Sequence, residues 1–192
     1  MLVDDPDRTS DITEVIDCYA DAYPFLKKHA NDFPSPDYLK SIVKRGQEKS
    51  NMSGVGEGKD SPGSELIIAA VDKEEDARPI WLAAWSGMNT IAQAIWKVHS
   101  TRSPEEFQKF VAKIRIYDVL GQDDAGAWIA KSFPEIFYIR NTEIYGWGPG
   151  DEWIKDNVQS RKPLGGCYPD RIWPRKVILL LFYMYMCNGL NV

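Results

Sequence analysis

The residues of this chain best suited to bind or act on a ligand sit in glycine-punctuated turns. Gly54-Val-Gly-Glu-Gly-Lys-Asp60 puts Lys59 and Asp60 on a loop whose glycines permit close backbone approach, a setting for hydroxyls or an anion. It lacks the Walker spacing, the G-x-G-x-x-G fingerprint and a preceding apolar strand, so a phosphate loop is poorly supported and a mobile surface loop competes. Gly87-Met-Asn-Thr90 follows an apolar run. Asn89 and Thr90 there could cradle a polar ligand or offer a main-chain carbonyl to a hard cation, or simply cap the next helix. Gly121-Gln-Asp-Asp-Ala-Gly126 pairs Asp123 with Asp124, able to hold a cation or sugar hydroxyls, with an N-cap role for Asp124 as the alternative. Tyr145-Gly-Trp147, with Asp151 and Trp153, sets aromatic rings on a glycine-rich loop, suited to sugar stacking or to the edge of a core.

Other chemistries lack their residues. No Gly-x-Ser-x-Gly elbow or HExxH motif is present, and His29 and His99 stand singly near helix ends, as terminal charges would. Cys18, Cys167 and Cys187 are odd in number and widely spaced, which reads as buried free thiols rather than disulfides or a zinc site. A formal charge of -5 supplies no basic field for nucleic acid. The longest apolar run, Val177 to Cys187, is shorter than the about 20 residues that a spanning helix needs, and Met1 to Ser10 has no apolar signal core. The expectation is a soluble chain with neither nucleic-acid nor membrane partner. Its 192 residues, with 44% hydrophobic content, suffice for one domain with a real core.

The turns need a scaffold to aim them. Asp11-Ile-Thr-Glu14 has capping-box spacing ahead of a helix whose apolar face runs Ile12, Val15, Ile16, Tyr19, Ala20, Tyr23. A shorter helix over Asp37 to Arg45 is expected to close at Gly46, and residues 47–63 read as loop. Helices are expected over Ser64 to Asp72, Thr90 to Val98, from Ser103-Pro104 onward, and over Asp124 to Phe133. Strands are expected over Ile80 to Trp85, Ile114 to Val119 and Glu135 to Ile139. The first is apolar without alternation, as in a parallel strand covered on both faces. Strands alternating with helices give the fold class: α/β, an open, mostly parallel sheet with helices on both faces. In such sheets ligands lie beyond the carboxyl ends of the strands, where the turns after Trp85 and Val119 fall.

Several segments together resemble a known family. Glu14-Val-Ile-Asp-Cys-Tyr-Ala20, Tyr23-Pro-Phe-Leu-Lys-Lys-His-Ala30, GVGEGKDSPGSELIIAAVD, WSGMNTIAQAIWKV, QDDAGAWI, FPEIFYI and Pro163-Leu-Gly-Gly-Cys-Tyr-Pro169 are similar to the nucleoside hydrolase-like domain of the cellulose-binding protein family, related to inosine-uridine nucleoside hydrolases. The resemblance runs over about residues 11–169. It implies a calcium-type site at the sheet's carboxyl edge, with the Thr90 main-chain carbonyl as a ligand and Asn89 beside it. It implies hydrolysis of N-glycosyl (ribosyl) bonds, through water activated by metal and carboxylate. A nucleoside or carbohydrate is the implied ligand, contacted by Lys59, Asp60, Asn89, Asp123, Asp124, Trp147 and Asp151. Relatives are often exported; the oligomeric state stays open.

Two departures shape the expected activity. The family begins with a strand and an aspartate-rich loop, whereas Asp4-Asp5-Pro6-Asp7 is only superficially similar, so the chain is expected to start after the first βα unit. The family's Glu-Gly-Asp-Thr-Pro-Ser-Phe stretch is replaced by Lys176-Val-Ile-Leu-Leu-Leu-Phe182, within an anomalous apolar segment over residues 175–187. With both acidic segments missing, impaired catalysis, no bound calcium, or a carbohydrate (cellulose)-binding module without turnover is the expectation. The genetic code accounts for the replacement: AAG GTG ATA CTC CTT CTT TTC, preceded by G and read one base earlier, spells the acidic motif. Sequencing the native DNA tests this; the shifted frame is expected to encode that motif, and any other reading removes the frameshift account.

Overall fold

The structure, a computed structural model, describes residues 7, 9–143 and 150–168. It comprises two compact units, one formed by Met1–Asp7 with Lys44–Tyr145 and the other by Arg8–Val43 with Gly146–Val192.

The first unit holds the sheet. In chain order its elements are α3 (Pro62–Val71), β1 (Ile80–Ala84), α4 (Asn89–Thr101), α5 (Pro104–Ala112), β2 (Ile114–Val119), α6 (Asp124–Ser132) and β3 (Phe137–Asn141), with a 3₁₀ turn at Asn51–Gly54. The strands lie in the order β1-β2-β3, all parallel, with Ala84 opposite Asp118 and Asp118 opposite Arg140. The three strands fall where the apolar runs predicted them, β3 two residues further along.

Capping explains where the helices begin. Ser61 and Ser103 each accept from the third residue of α3 and α5, and Pro62 and Pro104 follow them. Each such cap stabilises its helix by about 1 kcal/mol, because a helix's first N–H groups have no internal partner. For α6 the cap is Asp123, which accepts from Gly126, not Asp124. Neither Asn89 nor Thr90 caps α4; both lie inside it, after Met88.

Ile91, Ile95 and Val98 of α4 pack with Ile114 and Ile116 of β2 and Ile129 of α6 in one apolar core. The opposite row of the sheet differs from expectation. β1 alternates in exposure, because successive strand side chains point to opposite faces. Trp81 is 52% exposed and Phe137 49%. These rings meet edge to face at 5.9 Å, and the Arg115 guanidinium lies 5.5 Å from the Phe137 centroid.

The second unit contains α1 (Thr9–Leu26), α2 (Pro36–Ser41) and α7 (Asp151–Ile154), which runs into a π-helical turn at Lys155–Gln159, then a 3₁₀ turn at Gly165–Cys167. Helix α1 starts before the expected cap, so Asp11 lies in its first turn, where a carboxylate favours the helix dipole. Val15, Ile16 and Tyr19 are buried as the helical spacing predicts, and the Tyr19 hydroxyl donates to Pro34 O at 2.7 Å. Burial pushes the Tyr19 phenol up to about 12. Helix α2 is shorter than predicted: Ile42 N–H bonds back to the Leu39 carbonyl and Val43 N–H to that of Lys40, tightening and ending the helix well before Gly46. Cys18 and Cys167 are half-buried rather than buried; Cys187 lies outside the described residues. Among the described residues no helix is long and apolar enough to cross a membrane.

Removing core volume should separate the two sides of the first unit. Ile129→Ala, at a residue with 0% exposure, is expected to cost about 2–5 kcal/mol in urea unfolding. Leu66→Ala, at 38% exposure, is expected to change stability by about 0.5 kcal/mol or less.

Candidate functional site

Parallel strands deliver their following turns to one edge. After β1 the chain passes Trp85 to Met88 into α4, and after β2 it passes Leu120 to Asp123 into α6. Asp123 joins these turns. Its carboxylate accepts from Met88 N at 2.6 Å and from Gly126 N at 3.2 Å, satisfying donors at the start of both helices. Burial pushes the Asp123 carboxyl up, against the lowering effect of those N–H groups.

The glycine-bearing loop is strapped to the same edge. Gln47 N donates to Thr90 Oγ1 at 3.1 Å, Asn89 Nδ2 donates to Lys49 O at 2.6 Å, and Met52 N donates to Asp124 Oδ1 at 2.8 Å. Gln93, with 0% exposure, holds the loop through both ends of its amide. Its oxygen accepts from Gly56 N at 2.8 Å, and its nitrogen donates to Gly56 O at 3.0 Å and Asp60 Oδ1 at 2.8 Å. Close approach is what Gly54 is for: a Cβ there would lie 2.2 Å from Lys49 O.

Lys59 Nζ donates to Ser53 O and Val55 O, at 2.9 and 3.1 Å, so it closes the loop on itself. Asp60 accepts from Lys97 Nζ at 2.7 Å as well as from Gln93, and these bonds, Lys97 first, hold its carboxyl below the usual range. Lys59, Asp60, Asn89, Thr90, Asp123 and Asp124 therefore share one unit and one loop-and-turn network. Asp151 opens α7 in the other unit, near Trp153, which is 53% exposed. Trp147 lies outside the described residues.

Sequence reasoning missed Gln93 and a second cluster at the end of β2. Asp118 is 1% exposed and accepts from Tyr138 Oη at 2.6 Å, Arg140 Nε at 2.9 Å and Gly121 N at 3.2 Å. The available signal was a polar residue in an apolar setting, glutamine within Ile91 to Val98 and aspartate within Ile114 to Val119. Buried polar residues are informative because burial is costly unless they are bonded.

Calcium prefers six to eight oxygen ligands, chiefly free carboxylates and carbonyls. Among the described residues no group of three or more His, Cys, Asp or Glu could hold a metal ion. Both Asp123 oxygens take backbone N–H groups, and Thr90, second in α4, has its carbonyl in the helical ladder. The described donors thus do not fit the ion.

A solved structure of a nucleoside hydrolase-related hypothetical protein from Saccharophagus degradans, associated with carbohydrate metabolism, is similar to this chain. The two are 50% identical with a TM-score of 0.80, over 87% of this chain and 40% of that one. The chain therefore spans less than half the length of that relative. No curated protein matches it. The model of the family described as "Cellulose-binding Sde182, nucleoside hydrolase-like domain" matches residues 2–192, further in both directions than the motifs alone reach. With its parallel sheet, its strapped glycine loop and this match, the chain belongs to that nucleoside hydrolase-like domain family.

Proposed function

We propose that this chain binds carbohydrate without turning it over. One observation carries the reading: four aspartates at the sheet's carboxyl edge already accept from protein donors, Asp60 from Lys97, Asp118 from Arg140, Asp123 from Met88 and Asp124 from Met52. A general base needs a lone pair directed at water, and a calcium ion needs several such groups. Asp60, Asp118 and Asp123 accept through both oxygens, and Asp124, bonded through Oδ1, is one group where calcium needs several. The family's cellulose-binding description and the carbohydrate association of the Saccharophagus degradans protein support a sugar as ligand. Trp153 suits the task, because a half-exposed indole stacks on the apolar face of a pyranose while its N–H reaches a hydroxyl. Trp147, close in sequence, is the companion candidate.

Hydrolysis of N-glycosyl bonds is the second reading, favoured by the nucleoside hydrolase-like fold and family. It calls for bound calcium and a free carboxylate.

Affinity electrophoresis through soluble glucan, with pull-down on cellulose, separates the two readings when run beside ribose release from nucleosides and calcium calorimetry. Retarded migration is expected, lost or reduced at least tenfold in Trp147→Ala or Trp153→Ala, with neither ribose release nor saturable calcium binding. Ribose release with stoichiometric calcium uptake would replace the binding reading with the hydrolytic one.

A further inference from the structure

The cluster at the ends of β2 and β3 takes no part in holding the glycine loop. Asp118 and Arg140 are register partners on adjacent strands, so their side chains share one face of the sheet. The Asp118 side chain is 2% exposed and that of Arg140 is 37% exposed. The pair thus runs from the interior to the surface. A carboxylate that deep is tolerated only when paired and fully bonded, and Asp118 receives three donors. The arrangement fixes the guanidinium along one edge. Nε is committed to Asp118, and Nη2 donates to Tyr138 Oη at 3.3 Å. Nη1 has no partner among the described residues.

The turn after β2 is shaped around this arginine. Gly121 has φ 63°, and a Cβ on it would lie 2.6 Å from Arg140 Nε. Leu120 also adopts the left-handed region, at φ 71°, which a branched residue rarely does without a reason. On the other side a Cβ at Gly126 would stand 2.6 Å from Tyr138 Oη and 3.2 Å from Arg140 Nη2. An ordinary surface ion pair requires none of this: no buried carboxylate, no strained leucine and no clearance on two sides.

We propose that Arg140 is an oxyanion-binding residue, held by Asp118 and Tyr138 with its free guanidinium edge outward, and that it selects ligands bearing a carboxylate or phosphate group. The location is where parallel sheets bind ligands, beyond the carboxyl ends of the strands. A planar fork with one edge anchored is pre-organised for two parallel N–H···O bonds, which a neutral hydroxyl cannot match. The carboxylate could be that of a uronic acid and the phosphate that of a phosphate ester; the guanidinium chemistry is common to both. The assignment goes beyond the carbohydrate reading and does not rest on it.

The test is calorimetry on the full chain with inorganic phosphate, D-glucuronate and D-glucose, alongside ¹⁵N spectra of the arginine Nε–H signals. At least one anion is expected to bind saturably and shift the Arg140 signal, with affinity at least tenfold above that for glucose. Glucuronate alone would identify a carboxylate ligand and phosphate alone a phosphate ligand. Arg140→Gln should weaken anion binding at least tenfold, and Arg140→Lys should fall between. Tyr138→Phe, which retains the ion pair and so keeps the fold, should weaken it a few-fold. No saturable binding of either anion, an affinity for glucose equal to that for the anion that binds, or unchanged affinity in both Arg140→Lys and Tyr138→Phe would overturn the proposal. Equal sugar binding would do so while leaving the carbohydrate reading intact.

Discussion

The Asp123 carboxylate, bridging Met88 N and Gly126 N, ties together the two turns that a parallel sheet must manage. Every βα unit ends by presenting unsatisfied N–H groups at the start of a helix, and burying them requires an acceptor. One side chain serves two helices here, so the spacing between the starts of α4 and α6 is set by a single carboxylate. The glycine loop depends on that spacing, because it is fastened to Asn89 and Thr90 on one helix and to Asp124 on the other. Gln93 then sets the loop's shape from beneath, with an amide that has no exposure at all. The carboxyl edge is thus a connected network in which loop, turns and helix starts constrain one another.

That network decides what the edge can do. In an empty cradle the same residue types would face a ligand; in this chain they face the protein's own side-chain and backbone donors. Membership of a nucleoside hydrolase-like family establishes the scaffold, while chemistry resides in the individual groups. Asp60, Asp118, Asp123 and Asp124 look interchangeable as acidic residues, yet one ends in an ion pair with Lys97, one lies buried under Arg140, and two take backbone N–H groups.

Much of the scaffold was legible in the sequence. Strand and helix periods differ, and the Ser103-Pro104 opening of α5 names the start of that helix through a local interaction, whereas α3 opens at Ser61-Pro62, ahead of the expected Ser64. What escaped was non-local. Nothing near Gln93 in sequence announces that Gly56 and Asp60 will fold onto it, and Asp118 meets Tyr138 and Arg140 only once β3 has paired with β2. A capping role is the alternative for Asp124, but the residue before it takes that role and Asp124 reaches Met52 instead. Candidate ligand contacts and structural contacts use the same side chains, so residue type alone does not separate them. The unexpected exposure of Trp81 has a similar origin, since an apolar run shows how hydrophobic a strand is but not which of its faces is covered.

The outer row of the sheet has a consequence for how the strands find their alignment. Trp81, Arg115 and Phe137 stand opposite one another in neighbouring strands, ring to guanidinium to ring. Sliding β1 or β2 by a single residue would turn Trp81 or Arg115 inward and send a core isoleucine or leucine out to water, and sliding β3 would exchange Phe137 with Tyr138. Such a slip would also pull Asp118 away from Arg140 at the far end. The exposed row therefore acts as a vernier, a surface scale on which only one alignment of the three strands reads true.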